Sequence, residues 1–282
     1  MQLRTFKTLW GNQLSIQDAC EQARLASFDG IEGQAPRYQE HRLLWLDALS
    51  YNHCQYIAEI VTGGDYVPDR QWTMQQHLDD LAEQLDNAAL LKPIFATAIT
   101  GCDAWSLEQN IEFFAKAMDL ARERNMTLSF ETHRSRSLFT PWVTEAIVKA
   151  LPEIKLTLDI SHWCVVCERL MDSEIQTLQA IVDNVHHIHA RVGYDQGPQV
   201  PDPRAPEYED ALASHERIWQ MVWTEQLNNN HAISTLTPEF GPDGYCHLQP
   251  YTQQPVVDIW EVNRWMNIHQ QQHFKAFMDV NL

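Results

Sequence analysis

The sequence predicts one α/β domain over residues 1–282, a closed (β/α)8 barrel. Three observations carry that prediction. Strand-like and helix-like segments alternate along the chain as β-then-α units. Four of the strand-like segments end on a side chain able to hold a metal: Thr127-Leu-Ser-Phe-Glu131, Lys155-Leu-Thr-Leu-Asp159, His186-His-Ile-His189 and Ser234-Thr-Leu-Thr-Pro-Glu239. The chain has 282 residues, 44% of them hydrophobic, which suits a single barrel of about 250 residues with a full core. Closing the strands into a barrel would bring those four side chains to one mouth, where such barrels keep their chemistry.

The units run in order. Residues 2–9 read as the first strand, and 15–27 as a helix with Ser15 at its N-cap. Asp29-Gly-Ile-Glu-Gly33 is a short second strand, followed by a helix near 37–50. Residues 53–61 form an apolar third strand that stops at Gly63-Gly64, and 72–91 carry helical periodicity through Leu78, Leu81 and Leu85. The fourth strand covers 93–99 and its helix 106–124, with Ile111, Phe114, Met118 and Ala121 at helical spacing. Strand five spans about 126–131, and its helix 141–151 opens on Pro141, which a first turn tolerates. Strand six covers 154–159 with a helix at 172–184, and strand seven covers 185–191. A stiff Pro-rich segment, 193–206, follows as a candidate lid or dimer contact. A helix at 207–229, strand eight at 232–239 and a last helix at 256–279 complete the series.

Parallel strands require crossovers, and the helices supply them. The rival architecture is a doubly wound open sheet. That fold often carries a Gly-rich phosphate turn after its first strand, but here the position reads Trp10-Gly-Asn-Gln. Neither a P-loop nor G-x-S-x-G occurs.

A formal charge of −18 disfavours nucleic acid and anionic membranes as partners and favours a small molecule. No apolar run reaches the roughly 18 residues of a membrane helix, and the first residues read as a strand rather than a signal. The six cysteines are scattered, and Cys164-Val-Val-Cys167 lacks the second pair that a structural zinc site needs. A reduced, cytoplasmic protein is expected.

Glu131, Asp159, His189 and Glu239 make a ligand set of three carboxylates and one imidazole. Such a set suits one divalent ion: Mn²⁺, Mg²⁺, Co²⁺ or Zn²⁺. Without a cation, three crowded carboxylates would repel one another. His162, three residues after Asp159, looks over the same mouth, where it could bind a second metal or a substrate oxygen. His187 shares a strand face with His189 and is the competing ligand, while His186 should face the helices. His133 and Arg134 follow Glu131, and Arg191 follows His189. These are candidates to hold a carboxylate, phosphate or hydroxyl of a substrate. Glu32 and Glu59, in strands two and three, are candidates for substrate contact, and Trp10 for an apolar wall against a sugar ring.

These residues together resemble the xylose isomerase-like TIM-barrel superfamily over essentially the whole chain. The likeness rests on Ser129-Phe-Glu131-Thr-His, Thr157-Leu-Asp159-Ile-Ser-His162, His187-Ile-His189-Ala-Arg191 and Pro238-Glu239-Phe-Gly. The resemblance implies a metal held by Glu131, Asp159, His189 and Glu239, and substrate contact by His162. In the family an arginine beyond the metal-binding histidine also contacts substrate, but Arg191 lies closer to its histidine than that pattern has it. A homo-oligomer is a further implication. The expected chemistry is isomerisation or epimerisation of a sugar or sugar-like hydroxy-ketone. A proton would be removed and the resulting enediolate stabilised by the metal, with Glu131 and Glu239 as acid/base pair. A dehydratase or lyase shares that first step. An endonuclease IV-like phosphodiesterase and a non-catalytic metabolite-binding barrel are the remaining readings. The absence of histidine at the ends of strands three and four, and the acidic charge, weigh against the phosphodiesterase.

Overall fold

A computed structural model describes residues 1–242 and 244–281. Eight parallel strands close into a barrel, each bonded to its sequence neighbour and the last to the first. They are β1 (Gln2–Thr8), β2 (Gly30–Gln34), β3 (Gln55–Val61), β4 (Phe95–Ile99), β5 (Leu128–Glu131), β6 (Lys155–Leu158), β7 (Val185–His189) and β8 (Ile233–Thr237). The helices are α1 (Ile16–Leu25), α2 (Gln39–Tyr51), α3 (Met74–Ala89), α4 (Leu107–Glu123), α5 (Pro141–Ala150), α6 (Ser161–Cys167), α7 (Ile175–Ile181), α8 (Glu209–Asn228) and α9 (Ile259–Asn281). Among the described residues, no helix is long and apolar enough to cross a membrane.

Local chemistry sets these boundaries. Ser15 accepts a hydrogen bond from the Asp18 amide at the start of α1. Thr73 with Gln76, and Ser106 with Gln109, form reciprocal capping boxes at α3 and α4. Two departures from the sequence reading lie after β6. The helix expected at 172–184 is broken into a 3-10 turn at Met171–Glu174, α7, and a second 3-10 turn at Val182–Asn184. The short helix α6 was not expected, and Asp159 explains it. Its Oδ1 accepts from the Ser161 amide at 2.9 Å, so the acid after β6 takes up the first free amide of the helix, one residue ahead of the N-cap Ile160.

Barrel strands bury both faces, as β4 shows with all five residues buried. Outside the strands, Phe113, Phe114, Trp163, Trp219 and Trp223 belong to one continuous core under the helices. A separate cluster of Phe6, Ile57 and Phe95 is buried on the inside. Also within the barrel, Thr97 and Ser129 each hydrogen-bond the Thr157 hydroxyl at 2.7 Å.

His186 does not face the helices as expected. The register pairs Leu156 with Val185 but Thr157 with His187, so His186 is the extra residue of a β-bulge. Its ring lies 4.7 Å from that of Phe95. The bulge matters because Val185 belongs to the outer core. Plain alternation from Val185 would turn His187 and His189 outward, and the extra residue turns both inward.

The segment 193–206, a candidate lid or dimer contact, packs against its neighbours here. Gln199 and Val200 are buried, and the Gln199 side chain exchanges two hydrogen bonds with the Gly241 backbone. Gly193 donates its amide to His215 at 3.1 Å. The six cysteines are unpaired.

Arg136, fully buried, ties two loops of the upper face together. Its guanidinium donates to the carbonyls of Tyr66 and Thr62 at 2.8 Å, of Gly101 at 3.3 Å, and of Asp65. Replacing it with an isosteric apolar chain strands those carbonyls. Arg136→Met is expected to lose at least about 2 kcal/mol of stability, seen as a lowered thermal midpoint. An unchanged midpoint would mean the loops hold without the guanidinium.

Candidate metal centre

Glu131 is the last residue of β5, Asp159 directly follows β6, His189 ends β7, and Glu239 lies just beyond β8. All four are buried, and their ligand atoms lie within 4.8 Å of one another. Metal–ligand bonds of about 2.0–2.2 Å allow ligand atoms to stand up to about 4.4 Å apart, so the set is close to the shell of one ion. His189 Nδ1 stands 3.4 Å from Glu131 Oε2 and 3.1 Å from Glu239 Oε2. Both His189 Nδ1 and Glu131 Oε2 are buried, and they face each other as an ion pair without a well-aligned hydrogen bond. Buried polar atoms are usually well bonded, and a divalent cation among them would give both a better partner. The residues present therefore fit a hard ion with oxygen-rich, mixed O/N ligation.

Glu32 lies beneath this shell. Its Oε1 meets His189 Nε2 at 2.7 Å, while Oε2 meets His187 Nε2 at 3.1 Å and accepts from the Thr237 hydroxyl. This contact fixes which nitrogen of His189 is left for the cluster, the usual work of a carboxylate behind a metal-binding histidine. His187 is occupied with Glu32, Thr235 and Thr237 rather than with the other three carboxylates. Glu32 was expected as a substrate contact. Among the described residues that line the cavity it is absent, whereas Glu59 is among them. A glutamate inside the short apolar run of β2 was the signal in the sequence, but not its partner, which is 157 residues away.

Arg191 points inward with His189. It pairs with Asp159 Oδ2 and stands 3.6 Å from Glu239 Oε2. Its Nη2 also donates to His162 Nε2 at 2.6 Å, which makes that nitrogen the acceptor and leaves the ring proton on Nδ1. Burial, then His133 and Arg191, hold His162 well below its usual pKa, in keeping with a neutral ring. The rings of His133 and His162 lie 3.8 Å apart. Tyr245, which the sequence did not single out, stands 4.8 Å beneath the Arg191 guanidinium and 4.9 Å edge-on to Trp10.

Burial sets the titration here, with charge correcting it. Burial pushes the Glu131 carboxyl up to about 7, against the pull of His189 and with repulsion from Glu239. Burial and repulsion from Glu239, Glu32 and Glu131 push Glu59 up to about 8, so it carries a proton at neutral pH. Burial disfavours a charged His189, but Glu239, Glu32 and Glu131 outweigh it and hold the ring well above its usual value. A proton on His189 thus does part of a metal's work, and metal binding would release it. Glu32 is opposed by burial yet held well below the carboxylate range by His189 and His187.

The cluster opens into a cavity of about 490 Å³ whose lining includes Glu131, Glu239, His133, Arg191, Trp10 and Tyr245. Trp10 reaches this wall because Gly241 lacks a side chain: a Cβ there would stand 2.0 Å from the indole ring.

No protein-family model and no curated protein matches the sequence. By structure the chain is similar to D-allulose 3-epimerase from Methylomonas sp. in complex with D-allulose. That match has 12% identity, covers 96% of this chain and 97% of that one, and gives a TM-score of 0.68. It is similar to an L-ribulose 3-epimerase at 12% identity over 100% of this chain and 97% of that one, TM-score 0.66. Endonuclease IV from Thermus thermophilus also matches, at 13% identity over 99% of each chain, TM-score 0.60. At these identities the likeness is one of fold.

Two outcomes are expected of the metal centre. Asp159→Ala should lower bound metal measured by elemental analysis after Mn²⁺ loading, and unchanged content would remove Asp159 from the ligand set. Glu32→Gln, which keeps the shape but not the charge, should weaken Mn²⁺ affinity by about 10–100-fold in a calorimetric titration. Wild-type affinity would leave Glu32 with no part in orienting His189.

Proposed function

We propose that this chain, which has the fold of the xylose isomerase-like TIM barrels, is a divalent-metal-dependent sugar isomerase or epimerase. The observation that carries the reading is the convergence of the buried Glu131, Asp159, His189 and Glu239 beside an open cavity. When bound, the metal supplies Lewis-acid stabilisation of the negative charge that develops on a substrate's adjacent oxygens.

The chain's own residues do the remaining work. Glu131 and Glu239 both line the cavity, so a carboxylate oxygen of each can meet a bound molecule. Glu239 takes the proton from the carbon next to the carbonyl, and Glu131 returns one. Return to the opposite face of that carbon is epimerisation, and return to the neighbouring carbon is isomerisation. Arg191 and His133, which line the cavity, orient substrate hydroxyls, and His162, expected as a substrate contact, lies behind them and accepts from Arg191. Trp10 offers an apolar wall to a sugar ring, and Tyr245 beside it lines the cavity under the Arg191 guanidinium. The cavity walls beyond the cluster add Asp65, Asp80 and Glu83. Their charge disfavours a phosphodiester, and with it the endonuclease reading.

The test is proton exchange. In D₂O with Mn²⁺, metal-dependent deuterium uptake next to a carbonyl, followed by NMR across a panel of ketoses and aldoses, is expected. The labelled carbon separates isomerase from epimerase. No uptake across the panel with metal bound would overturn the reading. Glu239→Gln should cut that exchange at least about a hundredfold, and near-normal exchange would remove Glu239 as the base.

A further inference from the structure

The cavity does not end at the carboxylate cluster. It continues past Glu59 to the side of α3, where Asp80, Glu83, Gln84 and Asn87 line it together with Gln34 at the end of β2. This far stretch is built rather than incidental. Gln84 binds both backbone groups of Val61, donating to the carbonyl at 2.7 Å and accepting from the amide at 3.2 Å, and it also donates to Asp80 at 2.9 Å. Asn87 is held by Arg42 at 2.9 Å, and the same guanidinium grips the carbonyls of Pro36 and Arg37. The end of β3, the loop after β2 and α3 are thereby fixed to one another. Trp72 adds an aromatic face to the same lining.

Shape and charge together define a ligand. A volume of about 490 Å³ lies in the range of sites for drug-sized ligands and exceeds what one free hexose fills. The amides and carboxylates along this groove suit the paired donors and acceptors of sugar hydroxyls. The cations on the described lining are Arg37, which belongs to this arm, and Arg191, already paired with Asp159, and against them stand Asp65, Asp80 and Glu83. A phosphate dianion would therefore meet a field of its own sign.

We infer that this arm is a second subsite, that it holds an uncharged polyhydroxylated unit joined to the reacting sugar, and that it rejects phosphorylated sugars. The substrate is then a glycoside-like molecule rather than a free monosaccharide or a sugar phosphate. The inference rests on the proposed sugar chemistry only for which end of the molecule reacts. The reacting unit sits at the carboxylate cluster and the second unit along α3.

Binding separates the two ideas. Mn²⁺-loaded protein is titrated calorimetrically with D-fructose, D-fructose 6-phosphate, and two disaccharides with a ketose reducing end, lactulose and isomaltulose. At least one disaccharide should bind about tenfold more tightly than fructose, the gain of one or two added hydrogen bonds. The phosphate should bind more weakly than fructose. Equal affinity of fructose and both disaccharides, tighter binding of the phosphate, or no binding by any of the four would overturn the subsite. Glu83→Lys reverses one exposed charge on α3, and it should narrow the disaccharide-to-phosphate affinity ratio at least about threefold. An unchanged ratio would also count against the subsite. Deuterium exchange on the same samples reports on the catalytic reading. Disaccharide preference without exchange upholds the subsite and sinks the enolisation chemistry, and exchange without preference does the reverse.

Discussion

Four carboxylates buried in one barrel mouth are the constraint on which the rest of this structure depends. Glu32, Glu131, Asp159 and Glu239 are between 0% and 7% exposed. Taking so much like charge out of water is unfavourable unless positive charge or donors lie between the groups. His189 is central to that compensation because it has two working nitrogens. One faces Glu32, and the other faces Glu131 and Glu239. Arg191 compensates the remaining side, at Asp159 and Glu239. The same arrangement that makes the site tolerable without a metal makes it a strong place to put one.

That requirement explains the irregular part of the barrel. A regular β7 could not bury Val185 under the helices and also place His187 and His189 inside. The bulge at His186 resolves the conflict with a single residue. Likewise Asp159 at once follows β6, accepts from the first amide of α6 and pairs with Arg191. Its crowded role accounts for the sudden turn into α6 immediately after β6.

Much of this was legible in the sequence. Alternating units gave the closed barrel because hydrophobic periodicity and strand length are local properties. Period-two geometry put His187 and His189 on one face, and the strand-end positions of Glu131, Asp159 and Glu239 pointed to a common mouth. What was not legible depends on distant partners. Glu32 reads as any acid in a strand until its histidines arrive, and Arg136 reads as one charge in a basic stretch until four carbonyls surround it. The bulge at His186 is set by what β6 offers opposite, which no local pattern reveals. Tyr245 stands in a loop with no periodicity, and it gains meaning only from Arg191 and Trp10 beside it.

The bond from Thr237 to Glu32 spans 205 residues of chain. It joins the second strand to the eighth, across the seam where the barrel closes. A growing polypeptide would therefore carry Glu131, Asp159 and His189 for some time before the last carboxylate of the cluster and its support exist. Until β8 docks, the partial set lacks both Glu239 and the hydroxyl of Thr237 that steadies Glu32. High-affinity capture of an ion would thus report completion of the whole ring rather than folding of any one segment. An ion held that way stabilises the closed form alone, so metal supply in the cell would act on the lifetime of the finished barrel.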